Sequence, residues 1–220
     1  MGKDVLTLCG AVLAALACLF TILSFSTSHW LESFQEARSG FKRLGLWEAC
    51  FDKYTYDKDT LGKTYDECGW IFSYDYRPIF DWLNPAWFLA VQVMMTLALI
   101  LSLVTAILCL LGILNFCPDH RVSVAQLTNS ILMFITGALL ALAVTIFGIK
   151  ADTDRAWLPR PDQNYMSWSF GLAVVAGFFA IFSGMCLVID SLRLRIKARK
   201  QNAPHAFSDY KMKTVPPQYN

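Results

Sequence analysis

The chain has 220 residues, 55% of them hydrophobic and 16% charged, with 19 Lys and Arg against 17 Asp and Glu. A mean hydropathy of +0.42 is too apolar for an ordinary water-soluble domain, which makes the bilayer the first solvent to consider. A net charge of +2 is too small for the basic field that nucleic acid requires, so that class of partner is excluded.

The first apolar segment, residues 6–27, follows Lys3 and has the polarity of a secretory leader. Its stretch VLTLCGAVLAALACLF exceeds the roughly 7–15 residues of a leader's apolar region, and SFSTSHW offers no small-x-small cleavage site. It is therefore expected to stay as a span. The opening MGKDVL has Leu6 where myristoylation needs Ser or Thr. Further spans are expected at 86–114, 126–149 and 168–189, and all four are free of Asp, Glu, Lys and Arg. Each holds about 20 apolar residues, enough to cross about 30 Å of hydrocarbon at 1.5 Å per residue. Lipid offers the backbone no hydrogen-bond partners, so each span is a helix. The fold class is a membrane all-α four-helix bundle with a small extracellular antiparallel β-sheet formed by the first outside loop, as a single four-span domain over 1–220.

Lys and Arg mark the inside. Arg193, Arg195, Lys197, Arg199 and Lys200 follow the fourth span directly, which places the tail 190–220 in the cytoplasm. With four crossings the N-terminus is cytoplasmic too, leaving 28–85 and 150–167 outside. The same run can attract anionic lipid at about 1 kcal/mol per basic residue, second to its topological role.

Within the large loop 28–85, the segments FKRLGLWEACFDKYTYD and TYDECGWIFSYDY are rich in aromatics and separated by DKDTLGK, which predicts a small antiparallel sheet lying on the bundle. Of seven cysteines only Cys50 and Cys68 fall outside. Two thiols alone in an oxidising compartment are expected to pair, contributing about 3 kcal/mol; the alternatives are two free thiols or a bridge to another chain.

The pattern of Trp30, then Gly45-Leu46-Trp47, two residues, Cys50 and later Cys68 resembles the claudin and peripheral myelin protein superfamily, whose first outside loop carries W…GLWxxC…C. Span number, loop asymmetry and inside termini agree with it. A tetraspanin would instead have its large loop between the third and fourth spans, with a Cys-Cys-Gly that this chain lacks. The resemblance implies that these six residues hold the sheet together near the outer membrane surface, with Arg77 as the family's basic residue before the second span, near the tryptophan region. The wider cysteine spacing and the terminal QYN, with no apolar end for a PDZ groove, point to a divergent, invertebrate-type member.

The function implied is a structural and interaction role at cell–cell junctions, tight or septate, with association between similar tetraspan proteins side by side and across membranes. The alternative is an accessory subunit of a channel or receptor, as calcium-channel gamma subunits are on the same fold. Residues 31–84 carry ten Asp or Glu against seven Lys or Arg, a surplus that favours cations if these side chains line a pore. Spans without charge argue against a transporter, and Gln92, Asn129, Gly137, Ala141, Gly148, Gly177 and Gly184 read as packing residues. His29, His120 and His205 share no constellation and no catalytic, cofactor or metal motif occurs, so neither an enzyme nor a cofactor is expected. Pro216, Pro217 and Tyr219 match the PPxY ligand of WW domains. Cys117, at the inner edge of the second span, is a palmitoylation candidate.

Overall fold

The computed structural model describes residues 5–34, 36, 38–58, 62–114, 116 and 122–214, with side chains up to residue 200. In chain order it contains α1 (Val5–Ser26), β1 (Leu31–Ser33), β2 (Phe41–Leu44), β3 (Glu48–Thr55) and β4 (Thr64–Trp70). A 3-10 turn (Tyr74–Ile79) then leads into the short α2 (Phe80–Leu83), followed by α3 (Ala86–Ile113) and α4 (Val122–Thr153). A second 3-10 turn (Pro161–Gln163), β5 (Asn164–Met166) and α5 (Trp168–Thr214) complete it.

α1, α3, α4 and α5 are each long and apolar enough to cross a membrane. They form a ring in which α1 and α4 each pack against both α3 and α5. The bundle is inside-out relative to a water-soluble one. Leu97, Ile100, Val104 and Ile107 of α3 face outward, whereas Ala14, Ala17, Thr21 and Ser24 of α1 and Ser102 and Thr105 of α3 are buried. Lipid is as apolar as leucine, so helices gain by close approach and hydrogen bonds rather than by hiding aliphatic surface. Ser183 Oγ accordingly donates to the Gly10 carbonyl at 2.8 Å, and Ser130 Oγ to that of Gly184 at 2.8 Å.

Two helices run past the expected spans. α4 continues one turn to Thr153, and α5, which ends at Thr214, runs on past residue 189 through residues 190–200, mostly Leu, Arg, Lys and Ala, good helix formers with no Gly or Pro among them. Asp190, just beyond the charge-free stretch, is buried there and accepts a hydrogen bond from Thr7 Oγ1 at 2.8 Å.

The sheet is antiparallel with strand order β4-β3-β2-β1-β5. Four strands come from the first connecting loop, but β5 belongs to the second and pairs with β1 through Leu31↔Met166, Glu32↔Tyr165 and Ser33↔Asn164. The sheet is therefore closed by both loops, not by the first alone. Its inner residues Leu44, Leu46, Phe51 and Ile71 share one core with Phe88, Val91 and Met95 of α3, Leu140 and Phe147 of α4, and Trp157. The sheet and the helix ends thus bury one another.

Candidate functional site

Trp30 lies at the centre of this shared core, fully buried four residues after α1 ends. Its indole N–H donates to the Ser24 carbonyl at 2.8 Å, and its ring meets Phe147 edge-on at 4.9 Å and Phe170 at 5.7 Å. Its backbone N–H donates to Leu44 and its carbonyl accepts from Ser167. One residue therefore touches α1, β2, α4 and α5, which an indole can do because a large apolar body carries a single donor at its edge.

Gly45 turns the chain between β2 and β3 against the end of α1. A Cβ there would lie 2.5 Å from both Ser28 Cα and the Thr27 carbonyl oxygen, so only glycine allows the turn to sit this close. Leu46 is fully buried and its carbonyl accepts 2.6 Å from Gln92 Nε2, a side chain of α3. Trp47 packs on Phe25 of α1 at 5.0 Å and near Phe72 at 6.1 Å. The three consecutive residues thus make three different attachments to the bundle: backbone contact, hydrogen bond and ring stack.

Cys50 and Cys68 are direct cross-strand partners of β3 and β4 and form a disulfide, with Cα atoms 4.0 Å apart. Over them lies Arg43, whose Nε is 3.3 Å from Cys50 Sγ and whose Nη2 is 3.6 Å from Cys68 Sγ; Nη1 reaches His29 Nε2 at 3.4 Å. Glu48 brings a carboxylate close to the two sulfurs, but sulfurs joined to each other are not thiolate donors, so this grouping is not a metal site. Replacing both cysteines by serine is expected to lower the unfolding free energy by about 3 kcal/mol, the loop entropy returned to the unfolded chain. Chemical unfolding of the detergent-purified protein measures it.

A cleft of about 680 Å³ runs along β1 and β2 and is lined by His29, Glu32, Arg38, Lys42, Arg43, Asp52 and Tyr165 among others. Lys42 and Asp52 form an exposed ion pair at 3.1 Å. Glu32 accepts from Tyr165 Oη and Ser167 Oγ, both at 2.7 Å, which ties β1 to the second loop. Burial alone would raise the Glu32 carboxyl, but those two hydrogen bonds and the charges of His29 and Arg43 outweigh it and hold it below the usual carboxylate range. A depressed carboxyl stabilises the folded seam above its ordinary pKa of about 4.3, and that stability is lost as pH falls through the folded value. Acidification below about pH 4 is therefore expected to speed amide exchange at residues 164–166, after correction for intrinsic rates, and Glu32→Gln to flatten that pH dependence.

The second loop has further ties, to α2 and to the start of α3. Trp82 donates to the Ala156 carbonyl at 2.9 Å, Trp157 to that of Leu83 at 3.2 Å, and Trp87 to Asp154 Oδ2 at 3.2 Å. Trp30, Gly45, Leu46, Trp47, Cys50 and Cys68 thus all lie at the sheet end of the bundle. Arg77 is exposed on the first 3-10 turn, and the guanidinium that lies over the disulfide is that of Arg43. Cys117, Pro216, Pro217 and Tyr219 lie outside the described residues. Sequence reasoning missed Gln92 as a clamp on the motif. Its signal was the single amide in a span whose other polar side chains are small hydroxyls.

Compared with known families, residues 15–189 match the one described as PMP-22/EMP/MP20/Claudin tight junction. Comparison with curated proteins finds no match.

Proposed function

Because the chain belongs to the PMP-22/EMP/MP20/Claudin family, we propose that it is a claudin-like structural protein of cell–cell junctions that builds or regulates a paracellular barrier. In this reading both termini are cytoplasmic, the sheet faces outward, and copies associate side by side within a membrane and across to the next cell. The observation that carries it is the fusion of a five-stranded sheet with the helix ends through one core. A surface fixed that firmly to the membrane can meet its counterpart in a set orientation, which a hinged ectodomain cannot.

Expression in non-adherent cells tests the reading. Enrichment is expected where two expressing cells touch and not where an expressing cell touches a non-expressing one. Uniform distribution, with co-purification of a channel, would replace this reading with that of an accessory subunit.

The charge of the cleft bears on selectivity. The first loop as a whole has an acidic surplus, but the cleft is lined by Arg38, Lys42 and Arg43 against Glu32 and Asp52. With Lys42 and Asp52 paired and Glu32 held by Tyr165 and Ser167, the balance along a path through it is basic and favours anions. In a polarised epithelial layer expressing the protein, chloride is expected to pass more readily than sodium, with Arg38→Glu shifting the ratio towards sodium. Dilution potentials measure both.

A further inference from the structure

One row of cross-strand partners runs the width of the sheet. Tyr165 of β5 stands opposite Glu32 of β1, Glu32 opposite Arg43 of β2, Arg43 opposite Cys50 of β3, and Cys50 opposite Cys68 of β4. The disulfide is the last rung of this row, because β4 is the outermost strand. Its two sulfurs are unequal. Cys50 is 1% exposed and has β2 beside it, whereas Cys68 is exposed.

In thiol–disulfide exchange a thiolate attacks one sulfur in line with the S–S bond, from the side away from the sulfur that leaves. For Cys68 that side lies beyond the sheet edge, and for Cys50 it lies towards β2 and Arg43. Attack at Cys68 makes Cys50 the leaving group. Arg43 Nε is 3.3 Å from Cys50 Sγ and Nη2 is 3.6 Å from Cys68 Sγ, while Nη1 at 3.4 Å from His29 Nε2 helps to hold the guanidinium in place. A thiolate gains more from an adjacent guanidinium than a neutral sulfur does, so Arg43 favours departure of Cys50. Glu48 acts in the opposite sense, with a carboxylate oxygen within 4.8 Å of both sulfurs that repels the developing negative charge.

We infer that Cys68 is a site of reversible S-thiolation by low-molecular-weight thiols, with Cys50 leaving as a thiolate beneath Arg43. The incoming thiol first gives its proton to water. Its sulfur then bonds to Cys68 Sγ as the Cys50–Cys68 bond breaks, and the electron pair of the broken bond goes with Cys50 Sγ. One disulfide replaces another, so there is no net oxidation. Attack of the Cys50 thiolate back on Cys68 expels the added thiol and restores the bridge.

The test treats the detergent-purified full chain with reduced glutathione, traps free thiols with N-ethylmaleimide at early times, and locates both masses by digestion and mass spectrometry. Glutathione is expected on the Cys68 peptide and maleimide on the Cys50 peptide. Arg43→Gln is expected to slow adduct formation about fivefold, Arg43→Lys to restore most of the rate, and Glu48→Gln to speed it about threefold. These signs separate electrostatics from loosening, since a sheet merely opened by substitution exposes the bridge and exchanges faster. An Arg43→Gln variant that exchanges as fast as the parent or faster would overturn the assignment. Should that variant fail to fold, the position of the adduct in the parent and the sign of Glu48→Gln decide. Glutathione on Cys50, equal adducts on both cysteines, or no adduct until the chain unfolds would each sink the proposal.

Discussion

Gly45→Ala is expected to destabilise the protein by about 4 kcal/mol, because the added methyl has no flexible neighbour to displace. The obstacles at 2.5 Å are Ser28 Cα and the Thr27 carbonyl, both main chain, at the point where α1 hands over to β1. To relieve the clash, the β2–β3 turn would have to lift away from the bundle. That would take Leu46 out of its pocket and its carbonyl from Gln92, so a single carbon is felt in all three attachments of the motif. Gly171, in α5, supplies the control. A Cβ there meets nothing within 4 Å, and Gly171→Ala is expected to be neutral or to stabilise by up to about 1 kcal/mol through helix propensity. Thermal unfolding of detergent-purified protein, read alongside delivery to the cell surface, measures both. A Gly45→Ala variant as stable as the parent would show that the turn has room to move.

The second large effect is at Trp30, where alanine is expected to cost about 5 kcal/mol. The side chain is completely buried, and its removal leaves a cavity bounded by Phe147 and Phe170, whose helices hold them in place on the far side. Phenylalanine at the same position separates volume from polarity. It retains most of the packing but loses the 2.8 Å bond to the Ser24 carbonyl. That carbonyl still accepts from Ser169 Oγ at 3.1 Å, so it is not orphaned, and the expected cost of Trp30→Phe is only about 1–2 kcal/mol. An alanine variant no less stable than the phenylalanine one would mean that the cavity collapses, contrary to a site braced by four elements.

The four spans were legible because charge-free stretches of membrane length admit one structure, and the loop sheet was legible from its aromatic strands and the turn formers between them. The cysteine pair could be found by elimination, since the other five cysteines lie in or beside spans. β5 could not be read. Asn164-Tyr165-Met166 is too short to carry an alternation, and its strand character comes from the free edge of β1. Nor could the place of Arg43 over the disulfide be read. It depends on the register that sets Arg43 opposite Cys50 across an irregularity in β2, a three-dimensional property that spacing does not encode. Gln92 is a similar case. A lone amide in a span has the same appearance whether it serves a neighbouring helix or, as here, a loop carbonyl 46 residues earlier in the chain. The cleft's basic lining was hidden because a charge count over the loop does not distinguish the side chains that face it from those that point away.

β1 lies between β2 and β5, which gives the sheet a history as well as a shape. Tyr165, which bonds Glu32 across that seam, follows it by 133 residues, and α3 and α4 are both made in between. At roughly 5–20 residues per second of synthesis, the edge of β1 stays bare for about ten seconds in every newborn chain. An unpaired edge accepts any extended segment that reaches it, including the same strand of a neighbouring nascent copy. A companion that binds during this interval meets a surface that the finished protein no longer displays.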